Sequence, residues 1–382
     1  MRMKRKILFL IESLAGGGAE KVLTTLIQHI DRERFEVMVC AISGGGLYEK
    51  QIQNHAKYEA ILKVPSEKCV IKTLCYRIKH HLVYKWLPLS WVYGLFLPHG
   101  SDVEIAYVEG FATKLLSHST NRKARKYAWI HTDLCHNHWT ASVYATLQEE
   151  AKVYKSFDKI VGVSHTVIKA FRTEFPNIDV SRQVIYNPIN SRKILSKAKE
   201  RNDDTGISNG IKLVAVGRLE PQKAYGRLLH IVKNLREDGI SSELWILGEG
   251  SERKMLEEYI IQYQLGDAVR LLGFQSNPYK YLAKGDLFVC SSLAEGYSTA
   301  VTEALILGIP VITTDCSGMD ELLKDGACGV ITENSEQALY EGLKKLVCDV
   351  DLLKYYKERA LERGKEFQIE TLMKPIETLL MA

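Results

Sequence analysis

The 382-residue sequence predicts an α/β protein of two doubly wound, parallel-sheet, Rossmann-like domains facing one another across a cleft. Three observations predict it. Each half repeats a rhythm of short apolar run, glycine-bearing turn and amphipathic helix. A polar stretch, 191–210, separates the two rhythms and reads as a linker. The length suits two domains of ordinary size, and 46% apolar with 25% charged residues is a globular composition.

The elements follow in order. KILFLIE (6–12) is a first strand rather than a signal peptide, because its apolar run ends too soon, at Glu12. The helix after it carries Val22, Leu23, Leu26, Ile27 and Ile30 on one face, the spacing of a helix packed on a sheet. FEVMVCAI (35–42), DVEIAYV (102–108), KYAWIH (126–131) and KIVGVS (159–164) complete the strands of a domain over 1–190. KLVAVG (212–217), ELWILG (243–248), VRLLGF (269–274), LFVCSS (287–292) and PVITTD (310–315) are the strands of a second, over 191–366. FQIETLMKPIETLLMA (367–382) has apolar residues at helical spacing. No apolar stretch is long enough for a spanning helix. The eight cysteines are scattered without a C-x-x-C, which suits a reduced, cytoplasmic protein.

Ligands of open α/β sheets bind beyond the strand C-termini, and the distinctive residues fall there. VGRLEPQK (216–223) puts Arg218 and Lys223 in one loop before a helix, a pair suited to clamping two phosphates. Read alone, such a pair is more often a solvated basic turn. LGEGSER (247–253) and LGFQSNP (272–278) are further strand-to-helix turns. In LAEGYSTAVTEALILGIPVITT (293–314), Glu295 ends a strand and Glu303 lies two turns into a helix that Ser298 or Thr299 can cap. The start of that helix favours an anion, phosphate above all. A glycosidase would use two such carboxylates as acid and nucleophile, but it needs no diphosphate clamp. The bland reading is one acid in a turn and another on a helix surface.

Gly16-Gly17-Gly18 permits close backbone approach. It is no dinucleotide fingerprint, since Lys21 stands where the third glycine of G-x-G-x-x-G would be. WIHTDLCHNHW (129–139) crowds three histidines and a cysteine too closely for zinc. The string Asp349-Val350-Asp351 lies between helical runs, so no metal is expected.

Taken in order, Gly217-Arg218 through Gln222-Lys223, Gly248-Glu249-Gly250, Gly273-Phe274, the Glu295-to-Glu303 element and SGMDELL (317–323) resemble the C-terminal domain of retaining family-4 glycosyltransferases. GGGAEK (16–21), DVEIAYVEG (102–110) and VIYNP (184–188) are similar in the first half. The resemblance implies the GT-B architecture, with the last helix, 367–382, packing back on the first domain. It implies that Glu303 binds the ribose hydroxyls of a nucleotide sugar and that Arg218 and Lys223 hold the diphosphate. Glu295 then contacts the donor sugar, and the backbone of Gly296, Tyr297, Ser298 and Thr299 reaches the sugar and the distal phosphate. Gly17 and Gly18 border the donor phosphates, and Gly217, Gly248, Gly273 and Phe274 complete the donor-binding loops. His131 matches the active-site histidine, so the implied catalytic set is His131, Glu295, Arg218 and Lys223. The family transfers the sugar with retention by front-face attack, without a cofactor or metal, and no side chain is assigned as base. One departure stands out: the family has Gly directly after Gln-Lys, where this chain has Ala224.

The net charge of +5 divides unevenly: residues 1–190 hold 26 Lys/Arg against 17 Asp/Glu, residues 191–382 hold 25 against 29. From Lys68 to Gly100 there are five cations, no acid and an aromatic-rich run, YKWLPLSWVYGLFLP (84–98). This suits an anionic membrane surface, with Arg122, Lys123, Arg125 and Lys126 as a second patch. It equally suits a helical insertion covering the sheet. On the membrane reading the acceptor is a lipid-linked saccharide at the cytoplasmic face of the inner membrane, as in capsule or other surface polysaccharide assembly. No nucleic-acid recognition fold is visible. The predicted function is a retaining transferase using a UDP-linked sugar and a saccharide acceptor. A nucleotide-sugar epimerase would turn over the donor alone, and a non-catalytic nucleotide-sugar-binding subunit would bind without turnover.

Overall fold

The computed structural model describes residues 3–65, 70–201 and 210–382. The chain divides into two compact units, Met1–Pro188 with Ile369–Ala382, and Ile189–Gln368.

The first unit is built on a seven-stranded sheet in the order β3-β2-β1-β4-β5-β6-β7. Its strands are β1 (Arg5–Ile11), β2 (Phe35–Ser43), β3 (Lys57–Leu62), β4 (Val103–Ala106), β5 (Arg125–Ile130), β6 (Lys159–Gly162) and β7 (Ser181–Val184). All neighbours pair in parallel. A parallel sheet is covered on both faces, so its central strands are continuous apolar runs. Ile7 to Ile11 of β1 are each at most 1% exposed. Helix Gly18–His29 follows β1 and buries Val22, Leu23, Leu26 and Ile27, with Ile30 at its C-cap, the face read from the sequence. Helix Ile369–Met381 belongs to this unit, packs against helix Gly18–His29, and buries Ile369, Met373, Ile376, Leu379 and Leu380.

The second unit holds a six-stranded sheet in the order β10-β9-β8-β11-β12-β13. Its strands are β8 (Ile211–Val216), β9 (Ser242–Leu247), β10 (Val269–Gly273), β11 (Leu287–Cys290), β12 (Val311–Thr314) and β13 (Val330–Thr332). These pairings are parallel too. β9 is buried at all six positions, and the carboxylate of Glu243 within it receives the Trp245 indole N–H at 2.7 Å.

Three strands were not among the sequence expectations: β3, β7 and β13. All three are sheet edges. Edge strands carry polar side chains that deter further pairing, and KYEAIL and SRQV therefore lack the apolar run of a central strand. The segment 191–210 also differs from a plain linker. Ser191–Ala198 is a helix, capped by the Asn190 side chain accepting from Lys193 N at 2.9 Å, with Ile194 buried beneath it. Residues 202–209 of that segment lie outside the described residues.

Both sheets reverse direction once, between β1 and β4 and between β8 and β11. At such a reversal the connections leave to opposite faces and open a crevice beyond the strand C-termini. Gly17 and Gly18 follow β1, Arg218 and Lys223 follow β8 and Glu295 follows β11, beside these two points, whereas His131, Gly248, Gly273 and Phe274 lie at the ends of β5, β9 and β10.

Candidate active site

In the second unit, the loops after β8 and β11 are sewn together. The Gln222 side chain donates to the Ala294 carbonyl at 2.6 Å, and Leu293 N donates to the Gln222 carbonyl at 2.8 Å. The Ser291 hydroxyl donates to the Lys223 carbonyl at 2.7 Å. Asn334 adds a bond to the Leu293 carbonyl at 3.0 Å. These contacts hold the Lys223 backbone, and its side chain meets Glu295 with Nζ to Oε1 at 2.5 Å. Ser292 Oγ donates to the same oxygen at 2.6 Å. Burial alone would lower the Lys223 pKa, but the charge and hydrogen bond of Glu295 outweigh it, and the ammonium lies above its ordinary value. Lys223, Ser292, Glu295 and Ser298 line a small pocket at the ends of β8 and β11.

Above this pocket starts helix Thr299–Ile306, with Ser298 as its N-cap accepting from Val301 N at 3.4 Å. Glu303 lies on that helix, nearly buried, and receives the Tyr279 hydroxyl at 3.3 Å. Tyr297 and Ser298 are buried in the loop between the two acids. Arg218 is exposed in the loop after β8, close enough to Lys223 for its charge to oppose that of the ammonium. The structure thus brings Arg218, Lys223, Glu295, Ser298 and Glu303 to one end of one sheet.

Ala224 has φ 50° and ψ 42°, the left-handed conformation in which glycine is at ease. It ends the short turn Pro221–Lys223 and caps helix Tyr225–Glu237. The turn keeps a glycine's geometry without the glycine. Gly248, after β9, shows a stricter need: at φ +149° a Cβ there would lie 1.8 Å from the Gly217 carbonyl oxygen. Gly217 and Gly248 are therefore backbone contacts that let the two loops close on each other. Gly248 N also donates to the Gly273 carbonyl at 2.9 Å, which ties in the third loop, where Phe274 is exposed.

The remaining predicted residues belong to the first unit. Gly17 is the N-cap of the helix beginning at Gly18, and the Glu20 carboxylate accepts from the backbone N–H of both Gly16 and Gly17. His131 directly follows β5. Burial holds its imidazole down to about 4, against a hydrogen bond to the Tyr107 backbone, so it is neutral at physiological pH. Its Nε2 is buried without a hydrogen-bond partner among the described residues. Glu109, after β4, accepts from His131 N at 3.0 Å, and burial pushes its carboxyl up to about 6.

Sequence reasoning assigned no role to Glu109, Gln222, Ser292 or Asn334. The two remaining histidines of 129–139 are spent on carboxylates: His136 on Asp133 at 2.9 Å, His138 on Glu150 at 2.8 Å and Glu174 at 3.3 Å. Asp349 caps helix Val350–Gly364 by accepting from Leu352 N at 2.9 Å. No group of three or more candidate metal ligands occurs among the described residues.

Comparison with known proteins bears on the fold and on what the chain is similar to. An N-acetylgalactosaminyltransferase of Campylobacter jejuni, named for an N-acetylgalactosamine-N,N'-diacetylbacillosaminyl-diphospho-undecaprenol acceptor, is 29% identical over 370 residues, 95% of this chain and 96% of its own. The putative colanic acid glycosyltransferase WcaL of Escherichia coli is 31% identical over 183 residues, 45% of each chain. The crystal structure of Anabaena HepE in complex with UDP superposes with a TM-score of 0.76 at 20% identity, over 99% of this chain and 100% of that one. The same protein has been solved with UDP-glucose, with a TM-score of 0.75 at 18% identity over 98% and 99% of the two chains. These likenesses establish the GT-B fold. Residues 196–363 match the model described as glycosyl transferases group 1, so over that stretch the chain is similar to this glycosyltransferase family.

Proposed function

We propose that the chain is a retaining glycosyltransferase that moves a sugar from a UDP-linked donor to a lipid-linked saccharide in cell-surface polysaccharide synthesis. The observation that carries this reading is the Lys223–Glu295 pair with Ser292, set at the β8/β11 reversal beneath a capped helix start, with Glu303 farther along that helix. Lys223 and Arg218 take the donor diphosphate, and the first-turn amides of the helix add their partial positive charge. Glu303 accepts the two ribose hydroxyls, for which a carboxylate with two acceptor oxygens is suited. When phosphate engages Lys223, Glu295 is released to accept a hydroxyl of the sugar. In the first unit, the unpartnered Nε2 of neutral His131 is a lone pair able to accept a substrate hydroxyl there. Catalysis then rests on positioning and on stabilising the negative charge of the departing diphosphate. No side chain is assigned as a base. The two cations supply the charge that the diphosphate needs, so the reading invokes no metal or cofactor.

The donor is a hexosyl or N-acetylhexosaminyl nucleotide. HepE, solved with UDP and with UDP-glucose, supports the nucleotide. The C. jejuni relative, named for an undecaprenol-linked acceptor, supports a lipid-linked substrate and action at a membrane surface.

Isothermal titration with UDP tests the assignment. Glu303→Gln keeps the side-chain size but replaces one acceptor oxygen with a donor, and it should cost about 2 kcal/mol, roughly a thirtyfold loss of affinity. Unchanged affinity contradicts it.

A further inference from the structure

We infer that the helical layer Val70–Phe96 of the first unit is a docking face for an anionic lipid bilayer. The chain here forms helix Val70–His81, a five-residue π-turn over Leu82–Trp86, and helix Leu89–Phe96. Its inward side is firmly held. Val83, Val92 and Tyr93 are buried, and the Tyr93 hydroxyl donates to the buried Glu104 carboxylate of β4 at 2.6 Å. Tyr84 donates to Glu12 just beyond β1, and its ring lies 4.2 Å from that of Phe111.

The outward side is what a covering layer does not require. Leu74 is 57% exposed, Ile78 50%, Trp86 70%, Trp91 63% and Leu95 68%. Trp86 and Trp91 are the two most exposed of the chain's five tryptophans. The two helices present one surface, because Lys79 Nζ sits 4.9 Å from the Phe96 ring centroid. Arg77 and Lys85 are exposed beside the apolar groups. Lys68 and the side chain of Lys72 lie outside the described residues. The layer continues into the second basic patch, since Asn121, next to exposed Arg122 and Lys123, donates to the Ser101 carbonyl at 2.9 Å. Charge decides the occupant. No acid occurs from Lys68 to Gly100, so the surface complements a dense plane of negative charge. Tryptophan at the rim of an apolar stripe, with cations alongside, suits the boundary between headgroups and acyl chains. No helix among the described residues is long and apolar enough to cross a membrane, so the contact is peripheral.

This inference deepens the lipid-linked reading above and rests on it for its purpose, but its test is separate. The full chain is sedimented with vesicles of phosphatidylcholine alone and with added phosphatidylglycerol, at low and high salt. It should pellet with the phosphatidylglycerol vesicles and be released as salt screens the charges. Trp86→Ser with Trp91→Ser, and separately Arg77→Glu with Lys85→Glu, should each weaken that binding by about tenfold or more. UDP affinity and the thermal midpoint of both variants should match the parent, which shows that the donor site and the fold survive. Absence of parent binding, equal binding to both vesicle types, or unaltered binding by the variants overturns the inference. So does a dimer in light scattering that the tryptophan substitutions dissolve, since the face then belongs to a second copy. Loss of UDP binding with vesicle binding intact would fault the donor-site reading instead.

Discussion

Ala224 shows how much chemistry one residue conceals. The sequence marks it as a departure from the glycine of the family it resembles, and the structure shows its backbone in the left-handed region at φ 50°. An alanine held there costs roughly 1–2 kcal/mol relative to an ordinary helical or extended conformation. Ala224→Gly should therefore stabilise the second unit by about 1 kcal/mol, part of the relief being lost to the greater freedom of glycine in the unfolded chain. Denaturant unfolding of the two proteins side by side measures it; an equal or lower midpoint for the glycine variant would mean that the turn is unstrained. Lys223 and Glu295 make a different point. Their types and order were legible from the family pattern, but Ser292 and Gln222, which hold them, were not. Gln222 acts across a fold contact, on a carbonyl 72 positions away, and nothing local to it announces the partner; Ser292 acts within its own loop, on Glu295, where only the folded turn aims the hydroxyl.

At the scale of elements, the strands that carry the site were the easiest to read. Buried parallel strands are plain apolar runs, and the site follows their ends. The strands that escaped, Lys57–Leu62, Ser181–Val184 and Val330–Thr332, lie at sheet edges, away from the two reversals where the site residues gather. The loop after β5 carries a pH dependence. Glu109 holds that loop by accepting from His131 N, and its raised value of about 6 means that it ionises near there. Transferase turnover should fall as pH drops through about 6, and Glu109→Gln should lack that limb.

The stability signs oppose one another. Glu109 binds its proton more tightly folded than unfolded, so its contribution is present in acid and lost as pH rises from 4.5 to about 6. His131 is depressed, so its contribution is present above 6.5 and lost as pH falls toward about 4. The thermal midpoint of Glu109→Gln should thus lie farther below the parent near pH 4.5 than at pH 7. A gap independent of pH would contradict the assignment.

Over the whole molecule, each sheet is wound outward from its first strand in one direction and then, from its fourth, in the other. The rhythm of apolar run, turn and helix showed this doubly wound plan, but the strand order could not be read from local pattern. It depends on which strands find each other, and that is settled by packing on both faces. The consequence is functional. Residues as far apart in sequence as Lys223 and Glu295 meet because β8 and β11 are neighbours, and their meeting place is the reversal. A crystal structure of the chain with UDP is the most direct test. The account predicts the diphosphate on Lys223 and Arg218 beyond β8, the Lys223–Glu295 contact loosened, and the ribose hydroxyls on Glu303. UDP bound elsewhere, or a ribose without contact to Glu303, would contradict it.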